Sequence, residues 1–220
     1  MYYHLNFSYV WQHFGRLTSG LLLSLELAAT SIAIGCILGL ALAVVYVSGP
    51  RWGKAIVGAY VELFRNIPLL LLVYLVFYGI PRQIDIRYDA TTSFVITLSV
   101  YAAAYLIEVF RAGLQAIPGG MIEASKAIGL TPAQRLFHIR FPLMLRVVMP
   151  ALNNTFVSLF KDTSVASVIA VPELTFGAQW ININSFRVIE VFTVITVIYL
   201  AAGYVILHGM RALERRFFAS

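Results

Sequence analysis

The chain has 220 residues, of which 60% are hydrophobic and only 12% charged, against about 25% charged residues in an ordinary soluble domain. With a mean hydropathy of +0.83, this composition excludes a water-soluble globular fold. The formal charge of +6 does not point to nucleic acid, because the basic residues are scattered at the ends of apolar runs. That placement is what membrane orientation requires.

A bilayer core takes about 20 apolar residues of helix, and five stretches qualify: roughly 19–47, 57–80, 92–112, 147–171 and 188–209. The expected fold is therefore all-α, a single polytopic membrane domain over 1–220. Residues 1–16 are aromatic and polar, with no basic region leading into a short apolar core, so no cleavable signal peptide is expected. Phe7, Tyr9, Trp11 and Phe14 give this arm the character of an interfacial amphipathic segment. The lone Cys36 lies inside an apolar run, so no internal disulfide or metal cluster is expected.

Basic residues orient the spans. Arg51, Lys54, Arg111, Lys126, Arg135, Arg140, Arg146, Arg211, Arg215 and Arg216 fall on one side; Arg16, Arg82, Arg87 and Arg187 fall on the other. The bias predicts a cytoplasmic central loop and C-terminus, with the N-terminus outside. Arg82 to Asp89 reads as a short outer loop. Phe176 to Arg187 reads as a second outer loop, partly helical.

Charges within spans are costly and mark function or a buried pair. Glu26, Glu108 and Glu190 lie near span ends, where snorkelling or structural pairing suffices. In the second span, Glu62 and Arg65 share a helical face and can neutralise each other. Pro68 frees a backbone carbonyl near position 64 and is expected to break the helix where this polar cluster lies. The fourth span carries Lys161, Asp162, Thr163 and Ser164. The adjacent charges point about 100° apart on a helix, so one is available to a substrate or to a neighbouring span.

The longest segment too polar for the bilayer is Met121 to Pro142, MIEASKAIGLTPAQRLFHIRFP. A short surface helix over 120–128 is expected to end at Gly129, which suits a left-handed residue just past a helix end. Thr131 can cap and Pro132 can open a second short helix over 132–141. Two short helices meeting at a glycine make a compact knob for a partner to grip.

The order Glu123-Ala124-Ser125, three residues, Gly129, nine residues, Ile139-Arg140-Phe141-Pro142 resembles the EAA loop of ABC-importer membrane subunits. Ser125 stands for the second alanine and Phe141 for leucine. VELFRNIPLLLLVYLVFYGIP, AYLIEVFRAGLQAIPGG and SLFKDTSVASVIAVPEL extend the resemblance to the polar-amino-acid branch of these permeases, the histidine, glutamine and glutamate importer group, over nearly the whole chain. The resemblance implies a type I importer permease fold in the bacterial inner membrane, with the 121–142 loop as its coupling helix. It also implies two ATP-binding subunits gripping Glu123, Ala124, Ala127 and Gly129, a second permease subunit, and an extracytoplasmic amino-acid-binding protein. On the same ground Lys161, Asp162, Thr163, Ser164, Glu62 and Arg65 would line the path of the amino acid, and no cofactor would be needed.

Competing classes find less support. No H-E-x-x-H is present, and no histidine lies at mid-span beside a serine. Gly49 to Ala55 only faintly resembles a phosphate loop: three residues rather than four separate its glycines, and Ala55 replaces the magnesium-binding hydroxyl. ATP chemistry is thus expected on another chain. In an ion-gradient-driven secondary transporter or channel, Glu62, Glu108 or Asp162 would be the coupling carboxylate. Such proteins commonly carry paired repeats, which this sequence lacks, and the knob would have no task.

Overall fold

A computed structural model describes residues 3–84 and 88–218, and the described residues are almost entirely helical. Arg87, counted above among the outer basic residues, and its neighbours 85 and 86 lie outside the described residues. The helices are α1 (Ser8–Gln12), α2 (Phe14–Ser48), α3 (Arg51–Asn66), α4 (Leu69–Tyr74), α5 (Ile80–Ile84), α6 (Ala90–Gln115), α7 (Gly119–Ala127), α8 (Pro132–Arg135), α9 (Phe141–Asp162), α10 (Leu174–Ser185) and α11 (Val188–Phe218). A π-helical turn, Leu75–Gly79, joins α4 to α5, and another, Leu136–Arg140, joins α8 to α9; a 3-10 segment, Thr163–Ile169, follows α9.

Four of these helical stretches are long and apolar enough to cross a membrane; α3 with Leu69–Gln83 makes a fifth if counted as one span broken by a 101° bend. The bend has a local cause. Proline drives its preceding residue out of the helical region, and Ile67 is extended at φ −95°, ψ 130°. The second predicted span is therefore two helices at nearly a right angle. The fourth also differs from expectation. Its α-helix stops at Asp162, and Lys161 to Ser164 lie at the change into the 3-10 segment rather than within a continuous helix.

Close packing of α2 on α6 forms the centre. Gly20, Ser24, Ser31, Gly35, Gly39 and Ala43 are buried along α2, and α6 answers with Ala102, Ala103 and Leu106. A Cβ at Gly35 would stand 2.9 Å from that of Ala102, and one at Gly39 would stand 2.9 Å from that of Leu106. Small residues let backbones approach where lipid supplies no hydrophobic drive between helices. α9 packs on the same α6, burying Met144, Val148, Met149, Leu152 and Leu159. Asp89 starts α6 as its N-cap, accepting from the amides of Thr91 at 3.1 Å and Thr92 at 3.2 Å. These bonds and that of the Thr92 hydroxyl hold its carboxyl below the usual carboxylate range.

A second junction lies where α2, α10 and α11 meet. The fully buried Glu173 caps α10 by accepting from the amide of Phe176 at 2.8 Å. It also accepts from Ser24 Oγ at 3.2 Å and Tyr199 OH at 3.1 Å. The N-terminal arm closes over this junction: Val10 is buried with Leu17, Leu174, Ala178 and Ile181. Asn6 donates its amide to Glu190 at 2.8 Å, Tyr3 bonds the same carboxylate, and Arg187 pairs with it at 3.3 Å. Glu190 thus has the structural pairing that its place near a span end suggested.

Gly20 tests how closely α2 must approach this junction. A Cβ there would lie 2.8 Å from the backbone carbonyl of Glu173 and 2.9 Å from Leu174 Cα, and backbone atoms cannot rotate away. Gly20→Ala is expected to cost about 1–3 kcal/mol and to lower the thermal unfolding midpoint in detergent. Gly209→Ala, where nothing lies within 4 Å, should leave it unchanged or raise it. Equal midpoints for both variants would contradict the packing described.

Candidate functional site

Side chains four apart share a helical face, and α9 presents Arg146, Pro150, Asn154, Ser158 and Asp162 in such a row. Where this row faces α6, Tyr101, Tyr105, Asn154, Thr155, Ser158 and Asp162 line a cavity of about 380 Å3. The two tyrosine hydroxyls are 3.0 Å apart. Asp162 is half-buried and, among the described residues, has no ion-pair or hydrogen-bond partner for its carboxylate.

Arg65 reaches the Tyr105 ring from α3. Its guanidinium carbon lies 5.2 Å from the ring centre of Tyr105, a cation-π arrangement. Its ion partner is Glu108, at 3.9 Å, and not Glu62, which is exposed and unpaired among the described residues. The pairing of Glu62 with Arg65 expected from helical spacing is therefore replaced. The helix ends one residue after Arg65, and α6 offers a better acceptor, already fixed by Arg111 through bonds of 2.6 and 3.0 Å. The cluster Arg65–Glu108–Arg111 carries one net positive charge beside the tyrosines.

The other residues singled out from sequence are placed differently. Lys161 is exposed and, among the described residues, makes no ion pair. Thr163 is fully buried, its hydroxyl bonded to the carbonyl of Phe160 at 2.7 Å, and neither it nor Ser164 lines the cavity. Thus Asp162 lines the cavity and Arg65 packs behind one of its tyrosines, while Glu62, Lys161, Thr163 and Ser164 do not line it. Tyr101, Tyr105, Asn154 and Thr155 escaped the sequence reading. Their signal was hydroxyls and amides at helical spacing inside apolar runs, less conspicuous than full charges.

At the far end of α9 stands the knob. Gly129 adopts φ +79°; its amide bonds the carbonyl of Lys126 at 2.9 Å and that of Leu130 bonds Ser125 at 3.1 Å, the paired closure of a Schellman motif. Thr131 and Gln134 then cap each other reciprocally, at 3.3 and 2.8 Å, as a capping box does. The second helix does not stop at Pro142, however. The chain passes through the π turn directly into α9, because proline is tolerated in a first helical turn. Ser125, in place of alanine, is buried and turns its hydroxyl to the carbonyl of Ile122 at 2.6 Å.

Glu123, Ala124, Ala127 and Gly129 are all exposed. Beside them Ile128 is 75% and Phe137 66% exposed, and Met121, Ala124, Ile128, Ile139 and Leu143 edge an open hollow of about 520 Å3. Apolar exposure on this scale, on the polar segment between two spans, marks an interaction surface.

Comparison with known proteins gives the family and the fold. Residues 31–219 match the family described as "Binding-protein-dependent transport system inner membrane component". The octopine transport system permease protein OccM of Rhizobium radiobacter is 34% identical, over 94% of this chain and 88% of its own. The glutamine transport system permease protein GlnP of Escherichia coli K12 is 30% identical, over 96% and 97%. Among solved structures, an amino acid ABC transporter described "with histidines" superposes with a TM-score of 0.87 at 29% identity, covering 97% of this chain and 100% of that one. The methionine transporter MetNI, at 24% identity and a TM-score of 0.77, shares the fold. Members of such importers work with ATP-binding subunits, a partner permease and a substrate-binding protein, and ATP hydrolysis resides on the separate subunits. This chain belongs to the binding-protein-dependent transport system inner membrane component family and is a multi-pass permease subunit of an ABC importer.

Proposed function

We propose that this permease carries polar amino acids, and that the cavity between α6 and α9 is where its substrate passes. The observation that carries this reading is the unpaired Asp162 on a cavity walled by Tyr101 and Tyr105, with the Arg65 guanidinium against the Tyr105 ring. An amino acid brings an ammonium and a carboxylate, and each needs an opposite charge or oriented dipoles in a low-dielectric site. Asp162 takes the ammonium; Arg65, with the Tyr101 and Tyr105 hydroxyls, takes the carboxylate. Lys161, Thr163, Ser164 and Glu62 flank the path rather than contact the substrate. The names of the glutamine and octopine permeases among the relatives support this substrate class.

Two ATP-binding subunits dock on two copies of the knob, through Glu123, Ala124, Ala127 and Gly129, with Ile128 and Phe137 filling their apolar groove. A second permease, identical or homologous, completes the path, and an extracytoplasmic binding protein delivers the amino acid. The knob and C-terminus face the cytoplasm and the N-terminus faces outward. Gathering of Arg140, Arg146, Arg211 and Arg215 at the knob end supports this orientation through the positive-inside bias.

Two variants check this reading in the complex reconstituted into proteoliposomes. Asp162→Asn keeps the shape of the cavity and removes its charge, so uptake is expected to fall about tenfold or more while the ATPase subunits remain bound and hydrolyse ATP. Undiminished uptake by Asp162→Asn would remove the cavity from the path. Gly129→Val has space for its side chain but must hold a branched residue at positive φ, which costs roughly 1–2 kcal/mol. The expected outcome is a membrane-inserted permease that loses its ATPase subunits on purification, and full ATP-driven transport by it would contradict the docking role. Uptake driven by an ion gradient with this chain alone would return the secondary-transporter alternative.

A further inference from the structure

Asp162 is the one charged side chain among those lining the cavity between α6 and α9; the others are Tyr101, Tyr105, Asn154, Thr155, Ser158 and Leu159. The Arg65–Glu108–Arg111 cluster behind Tyr105 carries one net positive charge, so it and Asp162 sum to zero. Lys161 and Glu62, opposite in sign, are exposed and do not line the cavity. A zwitterion with its ammonium on Asp162 and its carboxylate on the tyrosine side uses both charges. A further charge on the substrate's side chain would find no counter-charge in the lining, and an unpaired charge in a low-dielectric site is costly.

Toward the knob end the lining offers hydrogen bonds instead. Asp162 ends the helix that begins at Phe141, so Asn154, eight residues earlier on it, stands about 12 Å away along the axis. Asn154 is exposed, and its amide makes no hydrogen bond among the described residues. Thr155 beside it donates its hydroxyl to the carbonyl of Ala151 at 2.9 Å, which leaves Oγ1 as an acceptor. Asn154 Nδ2 can donate to a carbonyl while Thr155 Oγ1 accepts from an N–H, and a side-chain carboxamide supplies both. Reach agrees with this pairing. A hydrogen bond at each end takes about 3 Å, leaving about 6 Å, which five bonds of about 1.5 Å cover in an extended chain. Five bonds separate the α-nitrogen of glutamine from its side-chain nitrogen.

We infer that Asn154 and Thr155 read the substrate's side chain, and that the cavity selects a neutral amino acid ending in a carboxamide, of glutamine's length, over acidic and basic ones. This deepens the amino-acid reading above and rests on it. The rival is an acidic side chain. Asn154 also borders the opening between α9 and α11 that Arg146, Arg211 and Arg215 edge, and a carboxylate reaching past Asn154 would meet them.

The test uses the intact complex, permease with its ATPase subunits, in phosphatidylcholine nanodiscs, without the binding protein so that its selectivity does not enter. Radiolabelled glutamine, glutamate and ornithine are measured by equilibrium dialysis; the three have equal length and differ in side-chain charge. Glutamine is expected to bind about tenfold or more tighter than either of the others, and to be lost in Asp162→Asn. Asn154→Asp, a change at an exposed position, is expected to reverse the order and favour ornithine over glutamine about tenfold. Glutamate bound as tightly as glutamine overturns the inference in favour of the arginines, and ornithine bound as tightly overturns the neutral class. In both cases loss of binding in Asp162→Asn leaves the cavity reading standing. An unchanged order in Asn154→Asp removes Asn154 from side-chain selection. Binding that survives Asp162→Asn, or no binding of any of the three, takes down the cavity reading and this inference with it.

Discussion

The approach of α2 to α6 is the contact on which the rest depends. Buried small residues Ser31, Gly35 and Gly39 bring the two backbones together. Because one face of α6 is taken by α2, its other faces are left for α3 and α9. Tyr101 and Tyr105 lie on one of those faces and look across at Asn154, Ser158 and Asp162. The cavity is thus a consequence of helix packing that touches none of its residues.

Within hydrocarbon, irregular backbone survives only where protein surrounds it or water reaches it, and the interruption after α9 obeys that rule. After α9 the chain tightens into a 3-10 turn and reverses at Ala170, a non-glycine residue at φ 60°. The reversal is closed by amide bonds from Ala170 to Ser167 at 3.1 Å and from Val171 to Ala166 at 3.3 Å, and Ala166, Ile169 and Val171 are buried. Glu173 follows at once and fastens the returning chain to Ser24 and Tyr199. Its three hydrogen bonds contribute about 0.5–1.5 kcal/mol each and together offset the roughly 1–2 kcal/mol of a left-handed alanine. The end of α9, and with it Asp162, is held by this junction.

Sequence made the larger features legible where composition and punctuation act locally. Apolar length placed the spans, Pro68 marked the break, and Gly129-Leu-Thr-Pro132 spelled out the knob's turn residue by residue. What escaped depends on neighbours distant in the chain. No glycine announces the turn at Ala170, because tertiary packing rather than propensity holds it. Glu62 lost its expected partner because the helix direction, turned by 101° at Ile67–Pro68, presents Arg65 to Glu108. Glu173 sits in a loop between apolar runs, where nothing in the sequence distinguishes a buried cap from an exposed acid. Asp162 and Arg65 were visible as charges, and Tyr101, Tyr105, Asn154 and Thr155 were not.

Partnership separates the carboxylates more cleanly than position does. Glu108 is clasped by Arg111 and met by Arg65. Glu173 has three donors, and Glu190 has Arg187, Tyr3 and a backbone amide. Each is accounted for by the fold itself, so each can be structural. Asp162 is half-buried on a cavity with no such partner. A charge that the folded chain leaves unmatched in a low-dielectric setting raises its free energy, and that cost is offset only when something of opposite sign arrives. Helix α9 carries this incompleteness at Asp162, beside the cavity that it shares with α6. The carboxylates that the fold satisfies hold the helices in place; Asp162, which it does not, is the one that the proposed function gives to the amino acid's ammonium.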